Sequence, residues 1–225
     1  ATVDTYRQGD LFVWGSGSLT EGFRFGASAA RLSRGGFGKN LTTGDENYNK
    51  DIWAVRGTLE FEPSEAVFFR LSGDYTRDDS NPRGGHRLIP SLVSNAPVLD
   101  DEFDTRGGLD DPKQIVKSGG VALHGDVDLG SGLTFRPISA WRKDNSGSPI
   151  DFDALPAEDL DVPAIYRNEQ LSQEFQLLNE SDGLNGIVGA YYLDAEAQSV
   201  FDVRLFLAFP SPFLLTTFTD AAVDT

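Results

Sequence analysis

Residues 170–193 read Gln-Leu-Ser-Gln-Glu-Phe-Gln-Leu-Leu-Asn, then Glu-Ser-Asp-Gly, then Leu-Asn-Gly-Ile-Val-Gly-Ala-Tyr-Tyr-Leu. Side chains of a β-strand alternate between its two faces, so Leu171, Phe175 and Leu177 fall together on one face of the first segment. Residues 181–183 carry the Ser, Asp and Gly that are typical of a tight turn. This stretch therefore predicts two antiparallel strands joined by a short connection.

The same alternation recurs along the chain. Residues 52–61 place Trp53 and Val55 on one face and Arg56 and Glu60 on the other. The predicted hairpins and one partial strand cover 3–6, 11–19 with 23–34, 52–61 with 67–76, 121–129 with 133–142, and 170–179 with 184–197. The sequence therefore predicts an all-β fold, an antiparallel up-and-down meander of about nine long strands with about ten residues each.

Two short windows leave a helical alternative open. Leu171, Phe175 and Leu178 also have the i, i+4, i+7 spacing of a helix face. Residues 27–32 are rich in alanine, which favours helix. The hairpin context of both windows favours strands.

The predicted connections alternate between short and long. Turns of three or four residues alternate with long loops over 35–49, 78–117 and 146–167, and with the segment after Gln198. Repeated long loops are uncommon in compact soluble domains. Bacterial outer-membrane barrels instead have short turns on one side and long loops on the other.

Two further features favour a large transmembrane β-barrel. Trp53, Tyr75 and Trp141 are predicted near the loop ends of their strands, as in the aromatic belts of membrane proteins. Six charged residues in mid-strand fall on the polar face, where a wide aqueous lumen accommodates them: Arg56, Arg70, Asp74, Asp126, Arg136 and Arg142. In this arrangement the apolar face contacts lipid, and strands outside this segment must close the barrel.

Composition excludes several other functions. The chain has 19 Lys and Arg against 35 Asp and Glu, a formal net charge of −16, which disfavours nucleic-acid binding. It has no cysteine and only two isolated histidines, so no zinc site is predicted. The acidic stretches 100–104 and 110–111 offer oxygen ligands for Ca²⁺ but lack the alternate spacing of an EF-hand, and a solvated loop is the favoured alternative, so no metal site is predicted. No motif of a nucleophilic or phosphate-binding enzyme is present, so neither catalytic residues nor a cofactor are expected. Asp151 and Asp153 are a candidate carboxylate pair for sugar hydrolysis, but no other motif supports that reaction.

The chain resembles TonB-dependent outer-membrane receptors. Besides 170–193, the resemblance is carried by 50–64, with its Pro-containing turn, and by 71–79 and 132–135, in the order of the family. It implies a barrel of about 22 strands with a plugged lumen. The implied function is uptake of a ferric siderophore, vitamin or similar nutrient, energised by the inner-membrane TonB system.

The resemblance also implies the context of the segment. Residues 1–225 would be a partial barrel domain, without the N-terminal plug and the C-terminal strands, and without enzymatic activity. Its partners would be a small molecule such as a metal–siderophore complex, outer-membrane lipid, and TonB through the missing N-terminal region. Its location would be the outer membrane of a Gram-negative bacterium.

Three arginines are the predicted contacts for an anionic ligand in the lumen: Arg70, Arg136 and Arg142. Pairing with neighbouring or plug carboxylates is the alternative for each of them. The apolar window 205–215 contains two prolines and is predicted to be a loop, either against ligand or against other loops.

A different class of protein gives the same periodicity. A secreted or surface β-sandwich that binds carbohydrate or protein would also alternate apolar and polar residues. The two possibilities differ in what covers the apolar face. A second sheet would cover that face in a sandwich, whereas in a membrane barrel no protein layer would cover Trp53, Val55, Leu59, Phe69, Leu71, Val121, Leu123 and Val127.

Overall fold

The structure, a computed structural model, describes residues 1–92, 94–157, 159–181 and 183–205. In chain order its strands are β1 (Thr2–Asp4), β2 (Gln8–Thr20), β3 (Phe23–Arg34), β4 (Gly38–Lys39), β5 (Glu46–Asn47), β6 (Lys50–Ser64), β7 (Val67–Asp78), β8 (Ile115–Gly130), β9 (Leu133–Asp151), β10 (Leu160–Ser181), β11 (Leu184–Phe201) and β12 (Arg204–Leu205). Among these residues, none forms a helix with the length and hydrophobicity of a membrane span.

Nine of these strands form one antiparallel meander, in the order β1-β2-β3-β6-β7-β8-β9-β10-β11. β12 pairs with the start of β10, and β4 and β5 form a separate small hairpin. The predicted all-β meander of about nine strands is confirmed, because every long strand pairs with its neighbour in sequence. The segments considered as helices are strands, since cross-strand pairing outweighs local propensity there.

The β10–β11 hairpin has the register predicted from 170–193. Its ladder runs without a break from Ala164 paired with Phe201 to Ser181 paired with Leu184. Asp182, in the predicted turn, lies outside the described residues. The apolar window 205–215 also lies outside them, except for Leu205.

Several strands are longer than predicted. β9 has 19 residues and β10 has 22, against about ten expected. The predicted loop over 146–167 was therefore wrong, because only 152–159 connects these strands. Pro149 and Pro163, which lie within the predicted loop, are opposite each other in the ladder. Trp141 consequently lies in the middle of β9 rather than near its loop end.

The alternation of short turns and long loops is otherwise as expected. Two residues join β2 to β3, β6 to β7 and β8 to β9, whereas 35–49 and 79–114 form long connections at the opposite end. The loop over 35–49 contains the small β4–β5 hairpin. Long loops at one end of a meander place their side chains close together in space.

The apolar face of the sheet carries no second protein layer. Within the described part of the chain, the long strands contact only their neighbours in the sheet. Of the eight side chains expected on this face, Phe69 and Val127 are half-buried and six are exposed: Trp53, Val55, Leu59, Leu71, Val121 and Leu123. The sandwich alternative is not favoured, because no second sheet covers these residues.

The buried core lies among the loops. The buried apolar side chains are Leu109, Ala154, Leu155, Val162 and Ala164. All belong to the long loops or to the first residues of β10. The loop end of the sheet is therefore a compact body, and the rest of the sheet is a single layer.

Candidate ligand-binding site

The three predicted arginines lie on the polar face, and each pairs with a carboxylate. Arg70 Nε donates to Glu60 Oε1 at 2.9 Å. Arg136 Nε donates to Asp126 Oδ1 at 2.6 Å. Their guanidinium groups are therefore engaged within the strand ladder, as one of the two sequence-based alternatives expected. Their contact with ligand stays a prediction.

The side chain of the third arginine, Arg142, reaches across the neighbouring strand β8. Arg142 on β9 donates to both carboxylate oxygens of Asp74 on β7, at 2.9 and 3.0 Å. Between them on β8 lies Gly120, in register with both residues. A Cβ at Gly120 would stand 2.7 Å from Arg142 Cγ. This glycine therefore lets the guanidinium cross β8 to form a bidentate ion pair.

A cavity of about 930 Å³ lies at the loop end of the sheet. Loops 35–49 and 79–114 and the end of β9 contribute to its wall, which also contains several amide side chains. Its cationic and aromatic lining residues are Arg34, Lys50, Arg83, Phe37, Tyr48 and Phe152. Arg70, Arg136 and Arg142 are not among the described residues that line it. A concave site with aromatic walls and a few charged groups suits a small-molecule ligand.

An aromatic cluster holds one side of this cavity. Phe37 stacks on Tyr48 with ring centroids 4.7 Å apart, and Phe103 meets Phe37 edge-on at 5.1 Å. The Arg34 guanidinium lies 5.4 Å from the Phe37 ring, and Arg34 Nη2 donates to the Tyr48 carbonyl oxygen at 2.6 Å. These contacts fix the positions of the Arg34 guanidinium and the aromatic rings relative to one another.

Hydrogen bonds join the two long loops. Asn47, 3% exposed, donates from Nδ2 to the Phe103 carbonyl oxygen at 3.0 Å and to Thr105 Oγ1 at 3.1 Å. The Thr105 backbone N–H donates to the Lys39 carbonyl oxygen at 3.0 Å, and Leu41 N–H donates to the Thr105 carbonyl oxygen at 2.9 Å. Because these bonds are buried or partly buried, they order both loops around the cavity.

We expect Asn47→Ala to loosen this loop body. The change leaves the Phe103 carbonyl and the Thr105 hydroxyl without the amide donor, at a cost of about 1–3 kcal/mol. Trypsin should then cleave within 79–114 about tenfold faster, since cleavage follows the population of the opened loop. The control is Asn185→Ala, an exposed residue at the turn end. Equal cleavage rates in the two variants would contradict the structural role of Asn47.

Sequence reasoning missed the cavity residues. Phe37, Tyr48 and Arg83 have no periodic pattern in the sequence that singles them out. The available signal was compositional, namely aromatic and amide residues concentrated in loops that were predicted to share one end. Which loop meets which depends on contacts such as Asn47 to Thr105, 58 residues apart.

Comparison with known proteins shows the fold. No protein-family model matches the chain, and no curated protein matches it. Among solved structures it is similar to the ferric yersiniabactin uptake receptor FyuA from Yersinia pestis, with 19% identity over 90% of this chain and a TM-score of 0.63. It is also similar to the siderophore receptor PiuA from Acinetobacter baumannii, with 15% identity over 88% of this chain and a TM-score of 0.64.

A third similar structure is FpvA from P. aeruginosa, bound to heterologous pyoverdines, with 16% identity over 88% of this chain and a TM-score of 0.65. The chain spans 31%, 30% and 27% of the lengths of FyuA, PiuA and FpvA. These likenesses confirm the predicted fold, an antiparallel meander of long strands like that in part of each of these receptors.

Proposed function

We propose that this chain is part of the barrel of a TonB-dependent outer-membrane receptor that takes up a ferric siderophore, vitamin or similar nutrient. The observation that carries the proposal is the shape of the sheet. It is a single antiparallel layer with an exposed apolar face, a charged opposite face, and long loops that enclose a cavity at one end. By their names, FyuA is a ferric yersiniabactin uptake receptor and PiuA is a siderophore receptor.

The exposed apolar face supports a location in the outer membrane of a Gram-negative bacterium. A continuous apolar surface on one face of long strands is the lipid-facing surface of a barrel. Mid-strand polar groups on this face bind each other, since Ser139 Oγ and Gln173 Oε1 lie 2.6 Å apart and Gln173 Nε2 donates to the Ile138 carbonyl oxygen at 3.1 Å. Internal pairing of this kind is what a hydrocarbon environment requires.

In this proposal the rest of the machinery lies in a longer protein. Further strands close the barrel, because edge strands exposed to lipid would leave backbone groups unpaired. A plug domain fills the lumen, and an N-terminal region contacts TonB. The coverage of about 30% or less of FyuA, PiuA and FpvA supports a partial barrel domain over 1–225.

The proposed ligand path begins at the loop cavity and continues along the polar face. Arg83, exposed at the cavity, has no ion-pair partner among the residues that the structure describes. Arg34 and Lys50 add positive charge to a chain that is acidic overall. Below them, Arg70, Arg136 and Arg142 offer polar contacts along the lumen. The cavity wall also contains the carboxyl groups of Asp78 and Asp151, so its three cations leave a small positive excess, which suits an anionic metal complex.

The test is uptake of ⁵⁵Fe-labelled siderophores and labelled vitamin by cells that express or lack the complete protein. We expect Arg83→Gln to weaken binding of an anionic ferric siderophore about tenfold, the value of one charge-assisted hydrogen bond. Lys143→Gln is the control, because Lys143 pairs with Glu169 at 2.6 Å on the other face. Uptake of every compound at the same rate with and without the protein would refute the proposed function.

A further inference from the structure

Four carboxyl groups meet where β9 passes into β10. Asp151 ends β9 and lies opposite Asp161 at the start of β10 in the ladder, while Asp153 and Asp159 lie in the connecting loop. Carboxylate oxygens of Asp151, Asp153 and Asp161 all lie within 4.8 Å of one another. We call these four residues the acidic cluster.

The acidic cluster is not a solvated surface. Asp153 and Asp159 are each 8% exposed, and Asp161 is 0% exposed. Burying several carboxylates together is costly unless a positive charge compensates them.

Backbone N–H groups fix the carboxylate of Asp153, whereas Asp151 and Asp159 each have one carboxylate oxygen that accepts no hydrogen bond from the described residues. Asp153 accepts N–H groups from Leu155 at 2.7 Å, Asp159 at 2.9 Å and Leu160 at 2.7 Å. By contrast, Oδ2 of Asp151 and Oδ1 of Asp159 are buried and have no hydrogen-bond partner among the described residues. A buried carboxylate oxygen that accepts no hydrogen bond is a position at which a cation would be stabilised.

Nearby arginines compensate the cluster only in part. Arg87 Nη1 donates to the backbone carbonyl oxygen of Asp153 at 2.7 Å, not to its carboxylate. Arg204 lies opposite Asp161 in the β10–β12 ladder, and its Nε also binds Asp202 at 3.0 Å. Among the described residues, two guanidinium groups thus stand beside five carboxyl groups, and a further cation would offset the excess negative charge.

We propose that Asp151, Asp153 and Asp161 bind a divalent cation, Ca²⁺, with Asp159 as a flanking carboxyl group. All ligands offered are oxygens, which hard cations prefer. Ca²⁺ is favoured over Mg²⁺ because Mg²⁺ usually keeps several waters and takes only one or two carboxylates. The sequence alone predicted no metal site, since the group forms only when β9 and β10 extend and pair.

The bound cation would fix one wall of the cavity. Asp151 lines the cavity itself, and Gly108 N–H donates to the Leu155 carbonyl oxygen at 2.9 Å, which joins the loop over 152–159 to the loop over 79–114. A cation held by β9, β10 and their connection would therefore order both loops. This inference does not depend on the nature of the ligand that the cavity takes.

The test is equilibrium dialysis of the complete protein in detergent against ⁴⁵Ca²⁺, with melting temperatures recorded with and without Ca²⁺. Wild type should bind saturably, within the range of about 10⁻⁴–10⁻³ M known for extracellular calcium modules or tighter. Loss of even an outer-shell partner costs about 10- to 100-fold in metal affinity. The double variant Asp151→Asn, Asp161→Asn should therefore bind at least about tenfold more weakly.

Two further variants keep the result interpretable. Asp100→Asn removes an exposed loop carboxylate and should bind Ca²⁺ like wild type. Asp159→Asn removes the charge of the flanking carboxyl group and replaces the double variant in the test if that variant fails to fold. It should bind Ca²⁺ more weakly than wild type. No saturable binding by wild type, or the same affinity in wild type and the cluster variants, would overturn the proposal. Siderophore uptake plays no part in this measurement, so the two proposals fail separately.

Discussion

Leu71→Arg is expected to destabilise the protein folded in a bilayer by about 2–4 kcal/mol, the cost of an arginine on the lipid face of a barrel near the membrane midplane. Leu71 lies in the middle of β7 on the apolar face and is 45% exposed. Leu59 on β6 and Leu123 on β8 are paired with it and form a row of leucines across the three strands. No protein layer covers this row in the described part of the chain, so the arginine would contact lipid directly.

The matched control for this change is Ser72→Arg. Ser72 is the next residue and points to the opposite, polar face, where it lies beside Thr58 and Ala122. These small neighbours leave space for an arginine side chain in an aqueous lumen. Denaturant unfolding in phospholipid vesicles should show that this control lowers the free energy of unfolding by less than about 1 kcal/mol. Equal losses at the two positions would contradict the assignment of faces.

Gly132→Ala is expected to lower the free energy of unfolding by at least about 3 kcal/mol. This is more than the cost of placing a residue with a side chain in the left-handed backbone region. Gly132 has φ of +78°, and a Cβ there would stand 2.0 Å from the Glu180 carbonyl oxygen. The Glu180 N–H donates to the Gly132 carbonyl oxygen at 2.8 Å, so the turn packs directly against the end of β10. The added methyl would have to separate these two segments.

Gly130→Ala isolates the conformational part of this effect. Gly130 has φ of +85°, but no atom lies within 4 Å of the Cβ position. It should lose only about 1–2 kcal/mol, the cost of the left-handed region for a residue with a side chain. Urea unfolding of the two variants measures the difference. If Gly132→Ala lowers the free energy of unfolding no more than Gly130→Ala does, the contact with Glu180 makes no contribution to stability.

The sequence predicted the parts of the fold that depend on local pattern. Alternation in 52–61 and 170–179 assigned faces, and Pro and Gly marked the short turns between strands. Loop boundaries were missed where local signals conflict with pairing. The predicted loop over 146–167 contains Pro149 and Pro163, yet these two residues face each other within the ladder because pairing continues from both strands.

The candidate site was less predictable because it depends on register and on distant contacts. Arg142 was placed on the correct face, but its pairing with Asp74 requires Gly120 to lie between them. The acidic cluster requires Asp151 and Asp161 to become neighbours through the extension of β9 and β10. No local periodicity contains that information.

The central claim is that one face of this sheet contacts lipid and the other lines an aqueous lumen. The chain contains no cysteine, so a spin label on a single introduced cysteine reports one position within it. Labels at 121, 122, 123 and 124 of β8 in the membrane-embedded complete protein should alternate. Positions 121 and 123 should be accessible to oxygen and shielded from a water-soluble nickel complex, and 122 and 124 should show the opposite. Labels at 121 and 123 that are shielded from both reagents, as under a second protein layer, would contradict the claim.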